Sequence, residues 1–129
     1  MAPQIAPHAF VGGLPRRLLA HPKGAALAVI GHVERAWGYS FMWPRVGEQL
    51  DTFESTLSAV MNGKRLGAAI EYFNDRYAAL TTELEDEKDN LQYGAIPDPM
   101  GISGLWTARN DARNYVILGD PAVRIAVRG

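Results

Sequence analysis

Two polar side chains that could do acid-base chemistry follow an unbroken apolar run. His32 and Glu34 come directly after residues 25–31, and Arg35 and Trp37 complete the segment. Imidazole and carboxylate groups can serve as a general base and its orienting partner, and residues i and i+2 of an extended segment point the same way. An ion pair between Glu34 and Arg35 is the structural alternative. Both interpretations predict a polar cluster after the apolar run, but only the pairing of His32 with Glu34 would make that cluster a catalytic site.

Residue types that would complete a catalytic or metal site are scarce in this chain. It has no cysteine, which excludes disulfides, thiolate ligands and a cysteine nucleophile. Its three histidines show neither HxH nor HExxH spacing, which argues against a zinc site. The sequence therefore predicts no catalytic residue, no metal and no cofactor, and hydrolysis by His32 with Glu34 is the weakest hypothesis.

The apolar run before His32 is the strand that must position these residues. Residues 25–31 carry no charged side chain and follow Pro22 and Gly24. A short apolar run bounded by turn residues is typical of a strand buried on both faces of a parallel sheet. Apolar residues at helical spacing predict a helix over 9–20. A helix followed by such a strand is half of a βαβ unit in an α/β fold, whose first strand we expect outside this sequence.

Two amphipathic helices are predicted in the middle of the chain. Apolar residues at spacings of three and four favour helices over 52–62 and 65–84, separated by Asn62 and Gly63. The carboxylates at 83–89 lack the ligand spacing of a calcium loop. We expect them at a solvated helix end or in a loop.

The last third of the chain is predicted to contain a loop, a short helix and one or two strands. Glycine and proline favour a loop over 91–104, and one or two helical turns fit 106–113. The β-rich run 115–118 predicts a strand that ends at the turn 119–121. Alternation makes 122–127 a candidate further strand.

Length and charge limit the classes of function. The chain has 129 residues, enough for one domain, and its formal net charge of -1 gives no electrostatic reason to bind nucleic acid or an anionic membrane. No apolar run approaches the roughly 18 residues that span a bilayer, and the N-terminus lacks the pattern of a secretion signal. We therefore expect a cytoplasmic protein whose partners are proteins or peptides.

Three segments of the chain resemble one protein family. They are LPRRLL at 14–19, GAALAVIGHVERAWGYSF at 24–41 and DARNYVILGDPAVRI at 111–125. Together they are similar to the C-terminal half of bacterial caspase-like domains of the CHAT and gingipain-like cysteine peptidase group. The likeness covers most of the chain, and the closing Gly-Asp-Pro block with its spacing from the apolar run carries it.

The resemblance implies a partial caspase-like three-layer α/β/α sandwich that holds only the last strands and helices of the sheet. The strand at 115–118 is then expected beside the strand at 25–31 and antiparallel to it. In the family, a catalytic His and a catalytic Cys lie on earlier strands, at positions before the residue that matches Pro7. Residues 1–129 would therefore be the C-terminal part of such a domain, with the first half that carries the His and Cys strands absent.

The resemblance also implies a role for the loop after the apolar strand. In the family this loop helps to wall the pocket that receives the substrate side chain, so the candidate substrate-pocket residues are His32, Glu34, Arg35 and Trp37. The expected function is a truncated cysteine-peptidase-type domain, catalytically incomplete on its own, that contributes the pocket side of the fold. The alternative is a free-standing, non-catalytic protein-interaction module. The unpaired edge of the strand predicts a homo-oligomer or a complex, and a chain that supplies the missing half-domain is one candidate partner.

Overall fold

Four helices and two small antiparallel sheets make up the part of the chain that the computed structural model describes, residues 8–34, 36, 42–43, 47–48 and 50–127. The elements in chain order are α1 (Gly13–Leu19), β1 (Ala28–His32), β2 (Met42–Trp43), β3 (Gly47–Glu48), α2 (Asp51–Met61), α3 (Leu66–Gln92), α4 (Pro99–Ala112) and β4 (Tyr115–Gly119). One sheet pairs β1 with β4 and the other pairs β2 with β3. The described part is therefore mixed α/β. None of its helices is long and apolar enough to cross a membrane.

The β1 and β4 strands pair antiparallel, as the resemblance implied. Their register joins Ala28 to Gly119 and His32 to Tyr115, so the turn after β4 lies at the opposite end of the ladder from His32. The prediction that the strand is buried on both faces is wrong, because β1 is half-buried and Ile30 is exposed. Among the described residues β4 is its one neighbouring strand.

The three long helices form two successive antiparallel hairpins. Gly63, with φ at +76°, turns the chain between α2 and α3, a conformation that favours glycine. Lys88 lies over the Trp106 ring and Arg109 over the Tyr77 ring, so α3 and α4 run in opposite directions. The alanines of α4 let the two helices approach closely, and each buried leucine contributes roughly 1.5–3 kcal/mol. The core between them consists of Leu80, Leu84, Leu105, Ala108 and Ala112.

All the predicted helices exist, but α1, α3 and α4 have different ends. The α1 helix is shorter than the predicted 9–20, because two glycines delay its start. The α3 helix continues beyond its predicted end to Gln92. Leu84, which is 1% exposed, extends the apolar stripe of α3 into the core with α4. The carboxylates at 83–89 therefore lie on the exposed side of a continuous helix and not in a loop.

Half of the predicted loop at 91–104 belongs to α4. Asp98 caps this helix, since its Oδ1 atom accepts a hydrogen bond from the Gly101 N–H at 3.0 Å. Pro99 occupies the first helical position, where its missing N–H costs nothing. Glycine and proline favour a loop, but Pro99 and Gly101 lie in the first turn of α4, which tolerates them.

The prediction of a strand at 122–127 is wrong within the described residues. The start of this segment and the residue before it instead supply carbonyl oxygens that cap α3, which has no side-chain cap. The Leu66 N–H donates to the Val123 oxygen at 2.9 Å, and the Gly67 N–H donates to the Pro121 oxygen at 2.8 Å. A helix leaves its first N–H groups without internal partners, and this tail supplies the acceptors.

Candidate functional site

The carboxyl end of β1 meets the beginning of β4 and the last turn of α4. The antiparallel register sets His32 beside Tyr115, so residues just before β4 lie near residues just after β1. A group of polar side chains gathers there from β1, β4, α3, α4 and the adjoining turns. We call it the His32 cluster, and its members are His32, Glu34, Arg76, Asp111, Asn114 and Tyr115.

Both ring nitrogens of His32 have partners. Nε2 lies 3.1 Å from Asp111 Oδ1 and 3.2 Å from the Asp111 carbonyl oxygen. Two acceptor oxygens at Nε2 require a proton on that nitrogen. Nδ1 lies 2.6 Å from the Glu34 carbonyl oxygen and 3.2 Å from the Glu34 backbone nitrogen. The ring therefore ties the end of β1 to α4 and holds the turn that follows, and neither nitrogen is available as a base.

The carboxylate that orients His32 is Asp111 and not Glu34. Asp111 is buried, with 3% of the residue exposed, and a buried carboxylate is tolerated only when it is paired. Glu34 holds the ring through its backbone, while its own carboxylate lies 3.4 Å from the Asn114 side-chain nitrogen. The hypothesis of a base with a Glu34 carboxylate as its orienter therefore does not describe this geometry.

Burial sets the protonation of the phenol in the cluster. It raises the pKa of Tyr115 to about 12, with a further rise from Asp111 and an opposing effect of Arg76. The phenol therefore keeps its proton at neutral pH and is no nucleophile there. Burial lowers the pKa of Arg76, and the charges of Asp111, Tyr115 and Asp51 act in the opposite direction. Arginine stays cationic at neutral pH, so it balances the buried carboxylate.

The two rings of the cluster, His32 and Tyr115, pack with two phenylalanine rings from α2 and α3. His32 meets Tyr115 edge-on with centroids 4.8 Å apart, and Tyr115 stacks on Phe73 at 4.3 Å. Phe53 contacts Phe73 and Tyr115 edge-on at 5.0 Å and 5.5 Å. Aromatic pairs of this kind add roughly 0.5–1.5 kcal/mol each beyond the area that they bury. The cluster is thus a packed support for the turn after β1.

The structure brings two of the four predicted pocket residues together. His32 and Glu34 are in contact, whereas Arg35 and Trp37 lie outside the described residues. No pattern in the sequence indicated the partners that come from α3 and α4. One signal could have found Asp111, because antiparallel pairing of the two strands brings the start of β4 to the end of β1.

A cavity of about 360 Å³ lies against α2 and the beginning of α3. It shares no residue with the His32 cluster. Its lining residues are Glu54, Ser55, Ser58, Ala59, Asn62, Lys64 and Tyr72. Within the described ranges, no group of three His, Asp or Glu residues is arranged to hold a metal ion.

Comparison of the chain with protein-family models, with curated proteins and with solved structures found no match. The fold and the site define a coarse class, a mixed α/β chain with a histidine–carboxylate cluster at the end of a two-stranded sheet. The caspase-like resemblance stays a prediction from the sequence.

Proposed function

We propose that this chain is the C-terminal part of a caspase-like domain of the CHAT and gingipain-like group and has no peptidase activity by itself. The observation that most supports this proposal is the antiparallel pairing of β1 with β4, the arrangement that the resemblance implies. The absence of cysteine supports the inactivity, because catalysis on the family's pattern needs a thiolate. The three-layer α/β/α architecture belongs to the same proposal.

In this proposal His32 has a positioning role. Its side chain is 11% exposed and fastened at both nitrogens, so it holds the turn after β1 in place. That turn leads into the other candidate pocket residues, Glu34, Arg35 and Trp37. Glu34 is exposed, and its carboxylate offers an acceptor for a basic substrate side chain.

Two measurements on the purified chain test the proposal. We expect no hydrolysis of fluorogenic peptides with Arg or Lys before the reporter group, because no thiolate can form a thioacyl intermediate.

We also expect an uncleaved Arg peptide to shift the amide resonances of residues around Glu34. The change Glu34→Gln should weaken this binding, and Glu71→Gln, which alters an exposed carboxylate of α3, should not. Hydrolysis by the pure chain, or binding that is indifferent to Glu34→Gln, would contradict the proposal.

A non-catalytic protein-interaction module is the second candidate. The engagement of both His32 nitrogens favours it, as do apolar side chains that α1 and β1 leave exposed. A module of this kind does not require a pocket that recognises a single side chain. An inactive chain that also leaves the Arg peptide unbound would support this candidate over the first.

A further inference from the structure

The outer edge of β1 has a row of backbone groups with no strand beside it among the described residues. The Val33 N–H donates to the Asn114 oxygen at 3.0 Å, which continues the register of β1 and β4 by one pair. Hydrogen-bonded pairs alternate along an antiparallel ladder. The odd-numbered residues of β1 therefore bond to β4, and the N–H and C=O groups of three residues point away from it: Ala28, Ile30 and His32.

This edge lacks the features that discourage pairing with another chain. Residues 25–31 contain no charge and no proline, whereas edge strands are usually protected by one or the other. Ile30 is 37% exposed at the centre of the edge. The α1 helix adjoins the same strand, since the Ala26 N–H donates to the Leu18 oxygen at 2.9 Å. Leu14 and Leu18 of α1 are exposed as well.

We propose that two copies of the chain pair through this edge, β1 against β1, around a two-fold axis at Ile30. Ile30 then lies opposite Ile30 of the second copy, and Ala28 lies opposite His32 of that copy. Each outward-facing residue meets another outward-facing residue, which is the condition for hydrogen-bonded pairs. The product is a four-stranded antiparallel sheet in the order β4, β1, β1, β4, with the same patch used on both copies.

The apolar side chains of α1 complete the interface. A ladder of five residues alone falls short of the roughly 1,200 Å² that stable interfaces bury, and in the proposed dimer the exposed Leu14 and Leu18 of α1 add apolar area. No like charges face each other within the paired residues 28–32, because His32 lies opposite Ala28 of the second copy. The pairing does not depend on the proposed function, because the β1 edge and the exposed side chains of α1 are sufficient to define it.

Sedimentation of the purified chain at high micromolar concentration tests the pairing. We expect a species of twice the 14.1 kDa chain mass. Ile30→Lys places like charges directly opposite each other and should give the monomer. Ile96→Lys is the matched control, because Ile96 is 93% exposed in the connection between α3 and α4. A monomeric wild type, or an Ile30→Lys variant that is folded and still dimeric, would overturn the inference.

Disulfide trapping tests it without a disruptive charge. The chain has no cysteine, so Ile30→Cys introduces a single thiol whose Cα lies about 5.5 Å from its symmetry mate in the paired strands. That separation is within the range of a disulfide, and we expect oxidation to give a covalent dimer. Ile96→Cys should stay monomeric under the same conditions. Equal yields from the two variants, or no covalent dimer from Ile30→Cys, would rule out pairing at this edge.

Discussion

Asp111 is the residue that connects the parts of the His32 cluster. Its side chain is 2% exposed and lies 3.1 Å from His32 Nε2. Its charge also acts on Arg76 and on Tyr115. Because the Asp111 carboxylate is buried, water cannot take its place as a hydrogen-bond acceptor when the side chain is truncated.

We expect Asp111→Ala to lower the free energy of unfolding by about 3 kcal/mol, since the change leaves a buried imidazole N–H and a guanidinium without their carboxylate. Urea denaturation measures this loss. Asp75→Ala, which removes an exposed carboxylate of α3, should change stability by less than about 0.5 kcal/mol. Equal losses in the two variants would mean that the contact between Asp111 and His32 does not stabilise the fold.

Tyr115 should make the fold less stable in alkaline solution. Its pKa is raised from 10.0 to about 12, so folding favours the protonated phenol. The stabilisation is complete below about pH 10 and is lost as the pH rises through about 12, because the unfolded chain then releases the proton first. In the Tyr115→Phe variant, we expect the free energy of unfolding to fall by about 1 kcal/mol less over this pH range than in the wild type. A shift of two pKa units corresponds to roughly 2.7 kcal/mol, but the effect is smaller here because the ring is partly exposed.

Urea denaturation at about pH 9 and about pH 12 measures the alkaline effect of Tyr115. Tyr93→Phe is the control, because Tyr93 is 90% exposed. It should keep the wild-type dependence on pH. If the stability of Tyr115→Phe depends on pH as that of the wild type does, the Tyr115 phenol does not contribute to the alkaline loss of stability.

At the scale of the elements, the start of α4 depends on one side chain. Asp98 Oδ1 accepts the Gly101 N–H at 3.0 Å, and Pro99 fixes the first helical residue. We expect Asp98→Ala to cost about 1 kcal/mol of stability and to reduce helicity by circular dichroism. Asp98→Asn keeps an acceptor oxygen and should retain most of the stability. If the alanine and asparagine variants unfold alike, the cap is not what stabilises this helix end.

At the scale of the whole molecule, the described part has a small core for its apolar content. The larger buried hydrophobic side chains in the described part are Leu66, Phe73, Leu80, Leu84 and Leu105. Several large side chains of α1 and β1 are exposed instead, including Leu14 and Ile30. A domain whose stability is marginal gains from any association that buries such surface.

We therefore expect the thermal midpoint of unfolding to rise with protein concentration, by a few degrees for each tenfold increase. Unfolding of a dimer releases two chains, so mass action favours the folded state at high concentration. Differential scanning calorimetry over a concentration series measures the effect. Ile30→Lys should melt at a temperature independent of concentration, and a wild type that behaves likewise would argue against a folded dimer.

Local patterns in the sequence determined most of the secondary structure. The apolar run predicted as a strand at 25–31 contains most of β1, which begins at Ala28, and the β-rich run after Asn114 forms β4. The helices α2 and α3 begin within a residue of their predicted starts. The spacing of apolar residues predicts these elements because the helical or strand period repeats within one short segment of the chain. Alternation predicted a strand at 122–127 wrongly, because the carbonyl group of Val123 caps α3 together with that of Pro121.

Only the tertiary structure decided which side chain His32 contacts. Glu34 is near in sequence and is exposed, but the carboxylate on the imidazole is that of Asp111, 79 residues away. That contact requires the register of β1 with β4 and the packing of α4 on α3, which places Asp111 at the end of the ladder. No pattern within a short window carries it, because the free energy that selects the partner comes from burying the carboxylate among elements that are distant in the chain.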